Sequence, residues 1–168
     1  MPATPDDLFA RLTELGISTT TLHHKAAFTY DELAAEVGHL PGVSVKNLFF
    51  ADAKKKQWLV VTPGERRIDL KKLAGVIGAA RLSFGSEERL MRALGAPPGS
   101  VSPFAVINDR KAEVQIVLDK AVMDAEIVNA HPLTNTMTTT IKPEDLRRFI
   151  EACGHQPRVV DLRAAEPS

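Results

Sequence analysis

The stretch Ser44-Val45-Lys46-Asn47-Leu48-Phe49-Phe50 decides how the rest of the chain is read. It is rich in β-branched and aromatic residues, the composition of a strand. At period two, Val43, Val45, Asn47 and Phe49 share one face, while Ser44, Lys46, Leu48 and Phe50 share the other. Both faces are largely apolar, which predicts a central strand covered on both sides. Lys46 and Asn47 inside it each need a partner, because an unpaired polar group out of water is costly. Lys46 is either a lysine at the strand's entrance with its ammonium in water or a group with a job.

The flanking sequence supplies the strand's companions. Lys54-Lys55-Lys56 reads as a turn, and Trp58-Leu59-Val60-Val61 as the returning hairpin partner. Upstream, Thr4-Pro5-Asp6-Asp7 opens a helix that Gly16 ends, 17–23 is a strand, and Thr29-Tyr30-Asp31-Glu32 is a capping box for a helix through Val37. Downstream, Asp69 caps a helix bearing Leu70, Leu73 and Ile77. A short strand at 81–84 and a helix at 86–94 follow. After a loop dense in Gly, Pro and Ser (95–104) come four strand candidates at 105–107, 114–118, 126–130 and 135–141, with a turn signal at Asn108-Asp109-Arg110. A last helix starts at Lys142-Pro143 and stops at Gly154. Val159-Val160 reads as an edge strand, and 163–168 as a frayed tail. The elements interleave without a regular βαβ rhythm, which predicts one α+β domain over 1–168, its first 42 residues a helix-strand-helix part.

Lys plus Arg and Asp plus Glu both number 21, so nucleic acid could be held only by a local basic patch. A single Cys rules out an internal disulfide and suits a reducing compartment. No apolar run reaches the length of a membrane span, so a cytoplasmic protein is expected. Phosphate-loop and dinucleotide fingerprints are missing, and the five His and one Cys show no metal-ligand spacing. Neither metal nor cofactor is expected. Cys153, at a helix end, reads as a packed thiol.

Three unusual features remain: Lys46-Asn47, the loop Gly99-Ser100-Val101-Ser102-Pro103-Phe104, and the run His131-Pro132-Leu133-Thr134-Asn135-Thr136. Together they offer a cation, a loop rich in backbone donors and a polar corner with an imidazole. That set suits a polar ligand carrying a carbonyl.

These stretches resemble the free-standing aminoacyl-tRNA deacylases related to the editing domain of bacterial prolyl-tRNA synthetase, the YbaK/ProX superfamily. The likeness also takes in Leu59-Val60-Val61, Asp69-Leu70-Lys71-Lys72-Leu73, Ala105-Val106-Ile107-Asn108-Asp109 and 129–140. The loop and the histidine run look most like the ProX (PrdX) branch, which is associated with removing alanine from proline tRNA. The branch that clears cysteine has a shorter, glycine-richer loop, from which this chain departs.

The resemblance implies a mixed, curved sheet ringed by helices, and Lys46 as the central functional residue. It implies an aminoacyl pocket lined by Gly99, Ser100, Val101, Ser102, Pro103 and His131. In that reading Lys46 holds the terminal adenosine's phosphate or ribose, or less readily acts as a base. Asn47 and backbone N–H groups hold the carbonyl oxygen or the amino group, and His131 or the free ribose hydroxyl orients water. Lys54, Lys55, Lys56, Arg66, Arg67, Lys71, Lys72 and Arg81 are the candidates for holding the tRNA body. The expected partners are a mischarged tRNA acceptor end and prolyl-tRNA synthetase, with no DNA and no membrane, and a monomer is the default. Cysteine or serine esters, or tRNA binding without catalysis, are the rival readings.

Overall fold

The computed structural model describes residues 2–168. The central strand is β2 (Val43–Asp52), which turns at Lys54-Lys55-Lys56 into β3 (Gln57–Pro63), antiparallel and in register from Val45↔Pro63 to Ala51↔Gln57. Alternation along the pair sends side chains to two cores, as the sequence predicts. Val45, Phe49, Leu59 and Val61 point into one core, and Phe50, Trp58 and Val60 into the other.

Around this hairpin, eight strands join among the described residues. The others are β1 (Thr20–His23), β4 (Leu82–Phe84), β5 (Val114–Asp119), β6 (Val128–Ala130), β7 (Met137–Ile141) and β8 (Arg158–Val160). The order is β1-β7-β6-β2-β3-β5-β8, with β4 paired to β2 alone. β5 runs parallel to β3, β8 parallel to β5 and β6 parallel to β2, while β1, β7 and β4 pair antiparallel with their neighbours. The sheet is mixed.

Helices cover both faces. Leu8 and Leu12 of α1 (Pro5–Glu14), Leu90 and Leu94 of α4 (Glu87–Leu94), and Leu146, Phe149 and Ile150 of α6 (Pro143–Ala152) fill the first core. Leu73 and Ile77 of α3 (Leu70–Ile77) fill the second. Between these in sequence lies α2 (Tyr30–Val37), whose Leu33 and Val37 pack with Ala27 in a small cluster of their own. A one-turn α5 (Lys120–Met123) follows β5. The Thr29 hydroxyl accepts from the Glu32 N–H, but the return arm of this cap lands one residue early, where the Glu32 carboxylate accepts from the Phe28 N–H.

Two expectations fail. The segment at 105–107 is no strand: Pro103–Asn108 forms a 3-10 helix, with Ser102 accepting from the Phe104 N–H and Pro103 at its first turn. Proline lacks the donor that a helix start leaves unpaired, and a short, largely buried apolar run has no periodicity to separate the two conformations. The tail is also held further than expected. Leu162–Ala165 makes a second 3-10 turn that buries Leu162 and Ala165 in the second core, and the Asp69 N–H donates to the Ala165 carbonyl.

A gap in strand pairing opens the sheet at its centre. On one edge, β2 pairs with β6 only at Val43 and Ser44, and with β4 only from Phe50 to Asp52. Between these pairings, the edge of β2 around Val45 to Leu48 has no strand beside it among the described residues.

Candidate active site

The gap in the sheet holds a cavity of about 160 Å³. Val45, Lys46 and Asn47 of β2 form its floor, Gly99 and Val101 of the loop after α4 one wall, and His131, just beyond the end of β6, a corner. A further wall is Ala27, Phe28, Thr29, Tyr30 and Leu33. Five residues singled out in the sequence therefore meet in one place: Lys46, Asn47, Gly99, Val101 and His131. Residues from both faces of β2 can share a cavity because the sheet is open beside them.

Ser100, Ser102 and Pro103 are absent from the lining. All three are buried behind the loop, with Ser102 capping the 3-10 helix. The Ser100 N–H is used within the loop by the Pro97 carbonyl. They shape the wall without touching what it encloses.

The α2 wall is what the sequence did not give away. Phe28 is 66% exposed and lies at Gly99, where a Cβ would come within 2.9 Å of its ring. Gly99 also has φ +86°, so the position needs glycine on two counts. The Tyr30 ring likewise lies close to Gly64, where a Cβ would come within 1.8 Å of it. An exposed aromatic directly before a capped helix is the only signal of this wall that the sequence carries.

Lys46 donates to the backbone carbonyl of Arg66. Burial holds its pKa below the ordinary lysine value. Arg66 itself is engaged: its Nε donates to Asp119 at 2.7 Å, its Nη1 lies 3.4 Å from Glu166, and its side chain is only 12% exposed. Asp119 is fully buried and also accepts the Thr62 hydroxyl at 2.6 Å.

On the other face of β2, Asn47 Nδ2 donates to the Val101 carbonyl at 3.2 Å. His131 Nδ1 faces the Met137 carbonyl at 3.1 Å, so the neutral ring carries its proton there and keeps the Nε2 lone pair free to accept. Burial pushes the His131 pKa below its usual value; the Met137 hydrogen bond opposes this in part, and nearby His24 adds a lesser lowering effect. His24 is held by the Lys25 carbonyl and the Thr138 hydroxyl.

The basic residues divide. Lys54, Lys55, Lys56, Arg67, Lys71 and Arg81 are exposed. Arg66 is not a free surface cation, since Asp119 and Glu166 both engage it. Lys72 is partly withdrawn too, its ammonium donating to the Glu166 carbonyl and the Ser168 hydroxyl. The Ala53 N–H donates to the Arg81 carbonyl, which brings Arg81 beside the lysine turn. The end of β2 that carries that turn, Asp52, lies about 20 Å from Lys46, at roughly 3.3 Å per residue. Cys153 is packed against the first core, and burial pushes its thiol up to about 11.

The family model for the aminoacyl-tRNA editing domain matches residues 24–149. The chain belongs to that family. The match runs from His24 through the floor, loop and histidine corner of the cavity. The prolyl-tRNA editing protein ProX of Acetoanaerobium sticklandii is 39% identical over 156 residues, covering 92% of this chain and 95% of that protein. Prolyl-tRNA synthetase associated domain-containing protein 1 of Danio rerio is 36% identical over 94% of this chain and 89% of its own length. A solved structure described as a candidate trans-editing enzyme for prolyl tRNA synthetase superposes with a TM-score of 0.70 at 22% identity, covering 96% of this chain and 99% of that one. That structural likeness speaks to the editing-domain fold alone.

Proposed function

We propose that this editing domain is a trans-acting deacylase that hydrolyses the ester of alanine mis-attached to proline tRNA. The observation that carries the reading is the meeting of Lys46, Asn47, Gly99 and His131 in one small cavity of an editing-domain fold. The similarity to the ProX editing protein supports the choice of tRNA.

A synthetase site built for proline excludes the smaller alanine poorly, since a missing methylene is worth only about 1–3 kcal/mol. A second site that admits alanine and rejects proline by size corrects the error. Ala27, Leu33, Val45 and Val101 supply the apolar walls for such a cut-off.

Water attacks the ester carbonyl carbon and gives its proton to His131 Nε2 or, through the substrate, to the free ribose hydroxyl. The bond from carbonyl carbon to ribose oxygen breaks, and that oxygen takes up the proton. Lys46, with one N–H spent on the Arg66 carbonyl, has two left for the terminal phosphate or ribose, and so positions the ester. Phosphate nearby favours its charged form, which ranks this role above that of a base. The exposed lysine turn and Arg81 lie too far from the cavity to meet the aminoacyl end, and hold the tRNA body instead. The reaction belongs to the cytoplasm, with prolyl-tRNA synthetase as the source of the mischarged substrate.

The test is a deacylation panel. Proline tRNA charged with alanine, serine, cysteine or proline is offered to the wild type and to Lys46→Ala. Rapid loss of alanine alone, reduced at least 100-fold in the variant, is expected, a loss on the scale of a positioning interaction. Preferred loss of cysteine or serine overturns the substrate, and no loss from any of them overturns the activity.

A further inference from the structure

The amide of Asn47 is held from one end only. Its Nδ2 is committed to the Val101 carbonyl, which fixes the orientation of the group. Its Oδ1 is buried and meets no donor among the described residues. The other orphaned side-chain atom, His155 Nδ1, belongs to a residue outside the cavity lining, so among the described residues Asn47 is the one lining residue with a buried, unsatisfied side-chain acceptor. A buried acceptor without a donor is unfavourable, and a ligand that brings one recovers that free energy.

We infer that Asn47 Oδ1 accepts a hydrogen bond from the α-ammonium group of the aminoacyl ester. This rests on the deacylase reading above and sharpens it. The ester carbonyl oxygen is itself an acceptor and cannot pair with Oδ1. Lys46 is a donor and extends from the opposite face of β2, toward the Arg66 carbonyl. That separation keeps two cations from competing for one spot. Within an aminoacyl ester, the α-ammonium is the donor nearest the scissile carbonyl, and its charge strengthens the bond.

The consequence is a second selection alongside size. The site tells a free amino group from a blocked or missing one. It therefore disfavours peptidyl and N-acylated esters on tRNA, whose amide N–H is a weaker, uncharged donor.

The test compares alanyl-tRNA with propionyl-tRNA, in which hydrogen replaces the amino group. Single-turnover rates are divided by the uncatalysed hydrolysis of each ester, because the ammonium also activates the ester by itself. The wild type is expected to enhance the alanyl ester roughly 10- to 100-fold more than the propionyl ester, the range of a hydrogen bond to a charged group. Asn47→Ala is expected to bring that ratio close to one, mainly by slowing the alanyl ester. Equal enhancement of both esters by the wild type overturns the assignment, as does an unchanged ratio in Asn47→Ala. The wild-type ratio needs no variant, so a poorly folded Asn47→Ala leaves the test standing. Failure of the wild type on both esters would reject the deacylase reading and the assignment with it.

Discussion

The guanidinium of Arg66 donates to the buried carboxylate of Asp119 at 2.7 Å, and the backbone carbonyl of the same arginine receives the Lys46 ammonium. The ion pair thus fixes the segment after β3 on which the central lysine rests. Asp119 is fixed in turn by the Thr62 hydroxyl and by capping α5. A residue that reads as a surface cation in the sequence is a support for the site.

Arg66→Lys separates the two roles. Lysine cannot reproduce the fork that serves Asp119 and Glu166 together, although it keeps the charge. The expected result is a fall of roughly 10-fold in kcat, the scale of a misplaced reacting group, with little change in KM and an unchanged salt dependence of binding. A raised KM with a salt slope smaller by about one would instead make Arg66 a phosphate contact.

The His131 assignment makes a prediction about pH. Its folded pKa lies below the ordinary 6.5, so the ring stays neutral through pH 7 and protonates only as the pH falls beneath 6.5. The deacylation rate is therefore expected to hold from pH 7 to about 6.5 and to decline below, in a single titration. Stability follows the same sign: between the two pKa values the unfolded chain binds more protons, so stability rises with pH there. His131→Ala should lose roughly 100-fold or more of the rate and the acid limb of the profile together. A variant that is slow but keeps the acid limb would show that another group titrates.

The hairpin of β2 and β3 is legible in the sequence because its β-branched and aromatic runs alternate, and Lys46 and Asn47 stand out because polar groups in such a strand need a reason. The opening beside β2 is not legible. It depends on where the distant segments β6 and β4 stop pairing, which no local pattern records. The α2 wall escapes for the same cause, since Phe28 and Tyr30 acquire their places by lying on Gly99 and Gly64. Arg66 and Lys72 read as free cations because charge is visible in a sequence and its partner is not. Here the partners are Asp119 and groups of the C-terminal tail. Ser100 and Ser102 read as pocket residues because the loop is recognisable as a unit, although only Gly99 and Val101 of it face inward.

The exposed basic patch predicts a salt effect of known sign. Lys54, Lys55 and Arg81 share one end of β2 and make no ion pair among the described residues. Replacing all three by glutamine should raise KM for tRNA at least 10-fold at low salt and leave kcat near wild type. The slope of log affinity against log salt should fall by about 0.7–0.9 for each phosphate that is no longer neutralised. Unchanged KM and slope in the triple variant would move the tRNA to another face, with Arg67 and Lys71 the next to test.

The buried pair of Asp109 and His155 lies outside the cavity lining, and it should carry stability without activity. His155 Nε2 lies 2.8 Å from Asp109 Oδ2, and the same carboxylate accepts the N–H groups of Glu113 and Val114 where β5 begins. Burial alone would raise the Asp109 pKa. The hydrogen bonds from His155, Val114 and Glu113 outweigh it and hold the group below its ordinary 3.8. A carboxylate lowered in this way stabilises the fold above pH 3.8, and that contribution is lost as the pH falls through the folded value. Asp109→Asn should therefore cost about 2 kcal/mol at pH 7, in the range for a hydrogen bond to a charged group. The difference from wild type should narrow toward acid pH. Urea unfolding at a series of pH values measures both effects. Deacylation by the folded fraction should match the wild type, because the pair touches nothing in the cavity. A variant that folded normally but lost activity would connect β5 to the site by a route that the ion pair of Arg66 and Asp119 does not supply.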